Sequence, residues 1–294
     1  MIGARSDKPF LAAIGALAAM YLLLIVMMLV ADAIYGFGVV PFRSDNPDQV
    51  SLVSIFSQKE VINSIKLTLY SCTISALLSI FVAVPTGYLL SRYNFPGKLL
   101  VDAILDIPIV LPPLVVGLSL LLLFNHLPTK DANFEDMLND FKVPFLFPKG
   151  IEVTHNVLGV ILAQFSVACA FSVRTMRNTF DQISPRTEQV AQTLGCSRAR
   201  AFFSVVVPES WRGISTAGTL AWTRSMGEFG PILVFAGTIP NKTEVLSSTV
   251  YLEITTGSLE TAVIVSLMMV TIAIVVLVAV RMWDRRNEGG LYHG

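Results

Sequence analysis

Arg224 and Glu228 stand four residues apart in an otherwise apolar or small-residue run, Arg224-Ser225-Met226-Gly227-Glu228-Phe229-Gly230. Charged side chains inside an apolar span are costly and tend to mark solute pathways, relays or pairs. Four-residue spacing puts both on one helix face, where guanidinium and carboxylate meet and each lowers the cost of inserting the other. Two uses are open: a gate or contact on a pathway for a charged solute, or an inert pair that only packs. Gly227, Gly230 and Pro231 loosen the helix beside the pair. Ala217, Ala221 and Ser225 repeat at four-residue spacing and let another helix approach closely. A central pathway at a subunit interface accommodates all of these features. Ser225 beside Glu228 is read as packing, because no nucleophile, base and orienting group can be assembled around it.

Other chemistries find little support. His126, His155 and His293 are scattered over loops and tail, and Cys72, Cys169 and Cys196 are an odd number with no metal spacing. No metal site is expected, and the cysteines read as small apolar fillers. No G-x-x-x-x-G-K-[ST] loop is present, so the chain carries no phosphate cradle of its own and is expected to be non-enzymatic. Formal net charge is zero over 294 residues, which gives no global attraction to nucleic acid.

A second stretch, Glu188 to Pro208, reads EQVAQTLGCSRARAFFSVVVP. Ser184 and Pro185 open it as N-cap and first helical residue. Glu188 falls in the first turn, where the helix dipole favours a carboxylate. Gly195 breaks the helix and is expected at φ > 0. A second short amphipathic helix follows, with Arg198 and Arg200 among Ala199, Ala201, Phe202 and Phe203, and Pro208 closes it. The product is a helix-turn-helix knob, either an ordinary interfacial helix or a grip for a partner.

The elements that must position these groups are membrane spans. The chain is 53% hydrophobic and 14% charged, with a mean hydropathy of +0.66; soluble domains average about 25% charged. Six spans are expected, at about 10–31, 61–90, 103–124, 156–173, 214–239 and 259–280. The first is read as a retained helix, not a cleaved signal. The second carries Thr68, Ser71, Thr73, Ser75 and Ser79, as suits a helix that faces other helices. The third is irregular at Pro108, Pro112, Pro113 and Gly117, which fits either a pathway-lining segment or a packing kink. Residues 32–60, 125–156 and 240–258 are expected as external loops. With the termini inside, thirteen Lys/Arg fall on the inner side and six on the outer, so the termini and the knob are placed in the cytoplasm.

Both motifs resemble one family. Gly195 and Pro208, with Val205 and Val207 between them, match the EAA loop of the membrane-spanning subunits of ATP-binding-cassette (ABC) importers. Gln189, Val190 and Ala191 occupy the Glu-Ala-Ala positions, and the carboxylate, Glu188, lies one residue early. RSMGEFGPILVFAGTIPNKT, LPPLVVG and FPGK are similar to the permeases for molybdate, tungstate and sulfate. The resemblance covers about residues 60–280. It implies an all-α integral membrane protein of the type I ABC importer permease fold, with six transmembrane helices and a cytoplasmic coupling loop at 184–208. Residues 1–59 would form an N-terminal helix and external loop, 60–281 the permease core and 282–294 a cytoplasmic tail. Glu188, Gln189, Ala191, Gly195, Arg198, Arg200 and Pro208 would couple the chain to its ATPase. Pro112, Pro113, Arg224, Ser225, Gly227, Glu228 and Gly230 would line or gate the pathway.

The implied partners are a cytoplasmic ABC ATPase dimer, which would bind the ATP and Mg, a periplasmic oxyanion-binding protein, membrane lipid, and a second permease subunit. A homodimer is preferred over a heterodimer. The implied cargo is a tetrahedral oxyanion, molybdate before tungstate or sulfate, and the implied location is a bacterial or archaeal inner membrane. The competing reading is an autonomous transporter or channel driven by an ion gradient, with Arg224 and Glu228 as its relay. No detectable inverted repeat supports it.

Overall fold

The computed structural model describes residues 7–36, 59–126, 128–129, 132–135 and 152–291. The expectations for Asn46 and Arg43, for Lys130, Lys142 and Lys149, and for the extreme tail with His293 lie outside the described residues. Among the described residues the regular structure is helical apart from a two-residue strand pair, β1 (Pro128–Thr129) against β2 (Ala132–Asn133).

Helix α1 (Asp7–Gly36) is apolar, is exposed along most of its length, and rests against α10 (Leu259–Leu291). The packed centre comes from α2 (Lys59–Arg92), α5 (Val157–Gln182) and α8 (Trp211–Gly227). The buried stripe of α2 is Ser64, Thr68, Ser71, Cys72, Ser75, Ala76, Ser79, Ala83 and Gly87. Small residues at three- and four-residue spacing let backbones approach. At Gly87 the approach is so close that a Cβ would sit 2.8 Å from Met176 Cβ and 2.9 Å from the Arg177 amide nitrogen. The polar second span therefore faces other helices, as its sequence foretells. The stripe Ala217, Ala221 and Ser225 is fully buried inside the chain, against α2 and α5, and does not form a subunit interface.

Four described helices are long and apolar enough to cross a membrane. The third expected span is two helices, α3 (Lys98–Val110) and α4 (Pro113–His126), bent by 113°. Leu111 is extended, at φ −66° and ψ 139°, the conformation a following proline imposes. Pro112 and Pro113 then withhold the amide donors that a continuous helix would use. Counted as one span, this pair is the fifth.

The fifth expected span, 214–239, is not one continuous helix either. It is the 17-residue α8, a break at Glu228 (φ −76°, ψ 118°) and a π-helical turn, Ile232–Ala236. Gly227, Gly230 and Pro231 supply the break. The external loop expected at 240–258 is corrected as well, because α9 (Leu246–Thr256) occupies most of it. Its N-terminus is closed by Ser248 Oγ, which accepts from the Val245 amide at 3.0 Å, and Gly257 at φ +86° ends it. Residues 237–245 remain a tight turn. Its Ile239 carbonyl accepts from the amides of Lys242, Thr243 and Glu244 at 3.0, 3.0 and 3.2 Å.

Candidate functional site

Two regions collect the residues singled out in the sequence. The first is the knob, α6 (Pro185–Thr193) and α7 (Arg198–Ala201), with α7 running on through a π-helical turn at Phe202–Val206 to Glu209. Ser184 caps α6 by accepting from the Arg186 amide at 3.4 Å, with Pro185 as the first helical residue. Ser197 caps α7 through the Arg200 amide at 3.3 Å. Gly195 sits between them at φ +93°. Its amide reaches the Gln192 carbonyl at 3.0 Å, and the Cys196 amide reaches back to the Ala191 carbonyl at 3.1 Å. That pair of bonds is the Schellman arrangement, which needs a left-handed residue at this place.

The knob turns an apolar face outward. Leu194 is 81% exposed and Phe203 69%, with Val190 beside them. Gln189, Arg198, Arg200 and Pro208 are exposed as well, and Ala191 is half-buried. Glu188 differs from these: it is buried and points into the chain. Tyr88 Oη donates to its Oε1 at 2.5 Å, Gln192 Nε2 donates to the same oxygen at 3.3 Å, and Arg92 Nε lies 3.8 Å from Oε2. Arg92 Nη2 also donates to the Ile183 carbonyl at 2.9 Å, at the end of α5. The Tyr88 ring rests on Phe202 at a centroid distance of 4.6 Å and on Phe180 at 5.7 Å.

The second region is the break after α8. Arg224 Nη2 lies 3.0 Å from Glu228 Oε1, so the two charges expected to pair do so. The pair is lopsided: the Glu228 side chain is 2% exposed and that of Arg224 38%. The Arg224 guanidinium also sits over the Phe171 ring, 5.1 Å from its centroid. Because α8 ends at Gly227, the Glu228 backbone leaves the helix, and its carbonyl accepts from Ser247 Oγ at 2.9 Å at the start of α9. Ser225 is anchored behind the pair, its Oγ 3.1 Å from Ser75 Oγ on α2.

The two broken segments meet. A Cβ on Gly230 would lie 3.2 Å from both Pro113 Cβ and the Leu114 amide nitrogen. One on Gly117 would lie 2.8 Å from Pro231 Cα. Pro113 and Gly230, singled out separately in the sequence, are thus one contact. Pro112 and Pro113 are exposed, and Gly227 opens onto free space. The arrangement offers a partly exposed cation backed by a buried carboxylate, next to two helix ends that carry few obstructing side chains. A guanidinium with an exposed edge can donate hydrogen bonds to an anion.

Tyr88, Arg92, Phe171 and Ser247 were not picked out in the sequence. Tyr88 and Arg92 are four apart near the end of α2 and share a face, a visible signal; nothing in the one-dimensional pattern joins that face to α6. No group of three or more potential metal ligands occurs among the described residues.

Similar proteins give the arrangement its context. Residues 75–289 match the family described as "Binding-protein-dependent transport system inner membrane component". The sulfate transport system permease protein CysT of Salmonella typhimurium is 33% identical over 200 residues, 68% of each chain. The molybdate/tungstate transport system permease protein WtpB of Thermococcus kodakarensis is 32% identical, over 66% of this chain and 69% of its own. The molybdenum transport system permease protein ModB of Escherichia coli is 32% identical, over 64% of this chain and 77% of its own. In fold, the chain superposes on a bacterial alginate ABC transporter crystallised with an alginate pentasaccharide-bound periplasmic protein, with a TM-score of 0.70 over 95% of each chain at 16% identity. A multi-pass helical chain with a capped, outward-facing knob and a match over most of its length therefore belongs to the family of binding-protein-dependent transport system inner membrane components.

Proposed function

We propose that this chain is the membrane-spanning subunit of an importer for tetrahedral oxyanions, molybdate foremost and tungstate or sulfate next. It passes the anion between two copies of itself, and a separate ATPase drives the cycle. The observation that carries the reading is the knob: Leu194, Phe203 and Val190 are exposed on a rigid, doubly capped turn. An apolar patch held this firmly and rimmed by Arg198 and Arg200 fits a protein partner. The relatives named above carry sulfate and molybdate or tungstate in their descriptions, which supports the cargo class.

In this reading the knob faces the cytoplasm together with both termini. A periplasmic binding protein releases the anion at the outer end. ATP closes the ATPase dimer, the two knobs are drawn together, and the crossing of α4 with the segment after Glu228 opens or shuts. Arg224 meets the passing anion, and Glu228 stays paired so that no lone carboxylate repels it. The chain's own residues bind no nucleotide; ATP and Mg belong to the partner.

Purification of the tagged chain from its own membranes should bring down an ATPase in stoichiometric amount, and Gly195→Asp should lose that ATPase while remaining in the membrane. Recovery of the chain without any ATPase, with anion uptake driven by a proton or sodium gradient, would support the autonomous transporter instead.

A further inference from the structure

The Glu-Ala-Ala position of the knob is filled by Gln189, which is exposed, whereas the neighbouring Glu188 is turned inward. We propose that Glu188, held by Tyr88 and Arg92, is a positioning residue that carries the movement of the knob to α2 and from there to the Arg224–Glu228 segment. It is not a contact for the ATPase. The inference rests on the importer reading above.

Four pieces of chain meet at this point. Glu188 is on α6, Tyr88 and Arg92 are on α2, the Ile183 carbonyl ends α5, and Phe202 belongs to the segment following α7. A buried carboxylate that accepts from a phenol and an amide, with a guanidinium 3.8 Å away, is directionally held, because each charge-assisted hydrogen bond has its own geometry. The knob therefore cannot tilt without pulling on α2 at Tyr88 and Arg92. Helix α2 cannot absorb that pull by sliding on α5, since Gly87 leaves no gap to Met176 and the Arg177 backbone.

At its middle α2 holds α8. Ser75 Oγ is 3.1 Å from Ser225 Oγ, and Trp222 Nε1 donates to Thr73 Oγ1 at 3.3 Å. Ser225 lies between Arg224 and Glu228 in sequence. A packed route thus runs from the knob to the paired charges through one helix. A route of this kind is established as coupling when both ends bias the same two-state element, and a mutant cycle reads that directly.

The experiment uses the full complex with its ATPase and binding protein in proteoliposomes, and compares Glu188→Gln, Tyr88→Phe and the double variant. ATPase association, basal hydrolysis and oxyanion taken up per ATP are measured for each. Association and basal hydrolysis should stay at the wild-type level while uptake per ATP falls about tenfold, inside the usual range of coupling effects. The double should be no worse than either single, because both remove one link. Unchanged uptake per ATP in the double, or loss of ATPase binding in step with uptake, would overturn the inference, the latter by making Glu188 a docking contact. If Glu188→Gln fails to reach the membrane, Arg92→Lys keeps the charge but disrupts the Nη2 bond to the Ile183 carbonyl, and it must show the same split. A wild-type chain that binds no ATPase would overturn the importer reading itself, whereas normal coupling in the variants overturns only this inference.

Discussion

Glu228 is the charge whose burial asks most of the protein. Its carboxylate is 2% exposed and faces Arg224 at 3.0 Å. Arg224→Gln alone would strand it, at a cost of about 3 kcal/mol, the low end for breaking a buried pair because Arg224 keeps some exposure. Adding Glu228→Gln should restore most of the lost thermal stability. If the pair only packs, transport returns with stability; on the pathway reading the double variant folds and binds its ATPase yet fails to couple hydrolysis to uptake. Thermal unfolding and binding-protein-stimulated ATPase activity separate the two, and full coupled uptake by the double variant would reduce the pair to packing. At Gly195 the left-handed backbone (φ +93°) would cost a β-branched residue about 1–2 kcal/mol. No neighbour lies within 4 Å of its would-be Cβ. Gly195→Val should therefore distort the knob and weaken ATPase binding without a packing defect in the membrane core, as a pull-down beside a melting curve would show. Both residues were legible in the sequence, one as a charge in an apolar run and the other as a helix stop. The inward turn of Glu188 was not, because its partners lie on a helix about a hundred residues earlier.

Among the elements, the broken ones carry the argument. The proline run of the third span announced irregularity, yet only the structure turns it into a bend of 113°. In the fifth span the same residues that loosen the helix, Gly227, Gly230 and Pro231, end it outright, and their apolar neighbours hid that end in a hydropathy count. Helix α9 was missed because Pro240-Asn241-Lys242 reads as a turn and Thr-rich Leu246–Thr256 favours no helix on propensity. The crossing of α4 with the segment after Glu228 depends on Gly117, where a Cβ meets backbone and not a yielding side chain. Gly117→Ala should lower stability by about 1–3 kcal/mol through overpacking and slow uptake; an unaltered melting temperature would show that the crossing gives way easily. In the turn before α9, Glu244 is buried and hydrogen-bonded to Thr249 Oγ1 at 2.8 Å. Burial raises its pKa above the ordinary 4.5, the Thr249 hydroxyl lowers it in part, and Glu60 and Glu253 raise it further. A raised carboxylate favours the fold while protonated, and that contribution is lost as pH rises through the folded pKa. Glu244→Gln should thus melt higher than the wild type at neutral pH, with the difference closing below the ordinary carboxylate value. A gain independent of pH would assign the effect to something other than this proton.

At the scale of the whole molecule, the family and the fold were legible because a membrane restricts the choices to apolar spans, and the two motifs lie at a fixed separation along the chain. The division of the bent spans was less legible, since length and hydropathy do not register a break that protein contacts satisfy. The orientation, an expectation from the basic residues, is open to a direct test. Single cysteines introduced at positions 200 and 242 should be labelled by an impermeant thiol reagent from the inside and the outside respectively, and outside labelling at position 200 would reverse the placement of the knob. The central claim is that this chain is a pathway with no engine of its own. Oxyanion uptake into proteoliposomes tests it directly, with the chain alone under a proton or sodium gradient compared with the chain joined to its ATPase, binding protein and internal or external ATP. The account predicts no uptake from the chain alone under any ion gradient, and molybdate, tungstate or sulfate uptake only when the ATPase is present and ATP is supplied on its side. Gradient-driven uptake by the chain alone would contradict it.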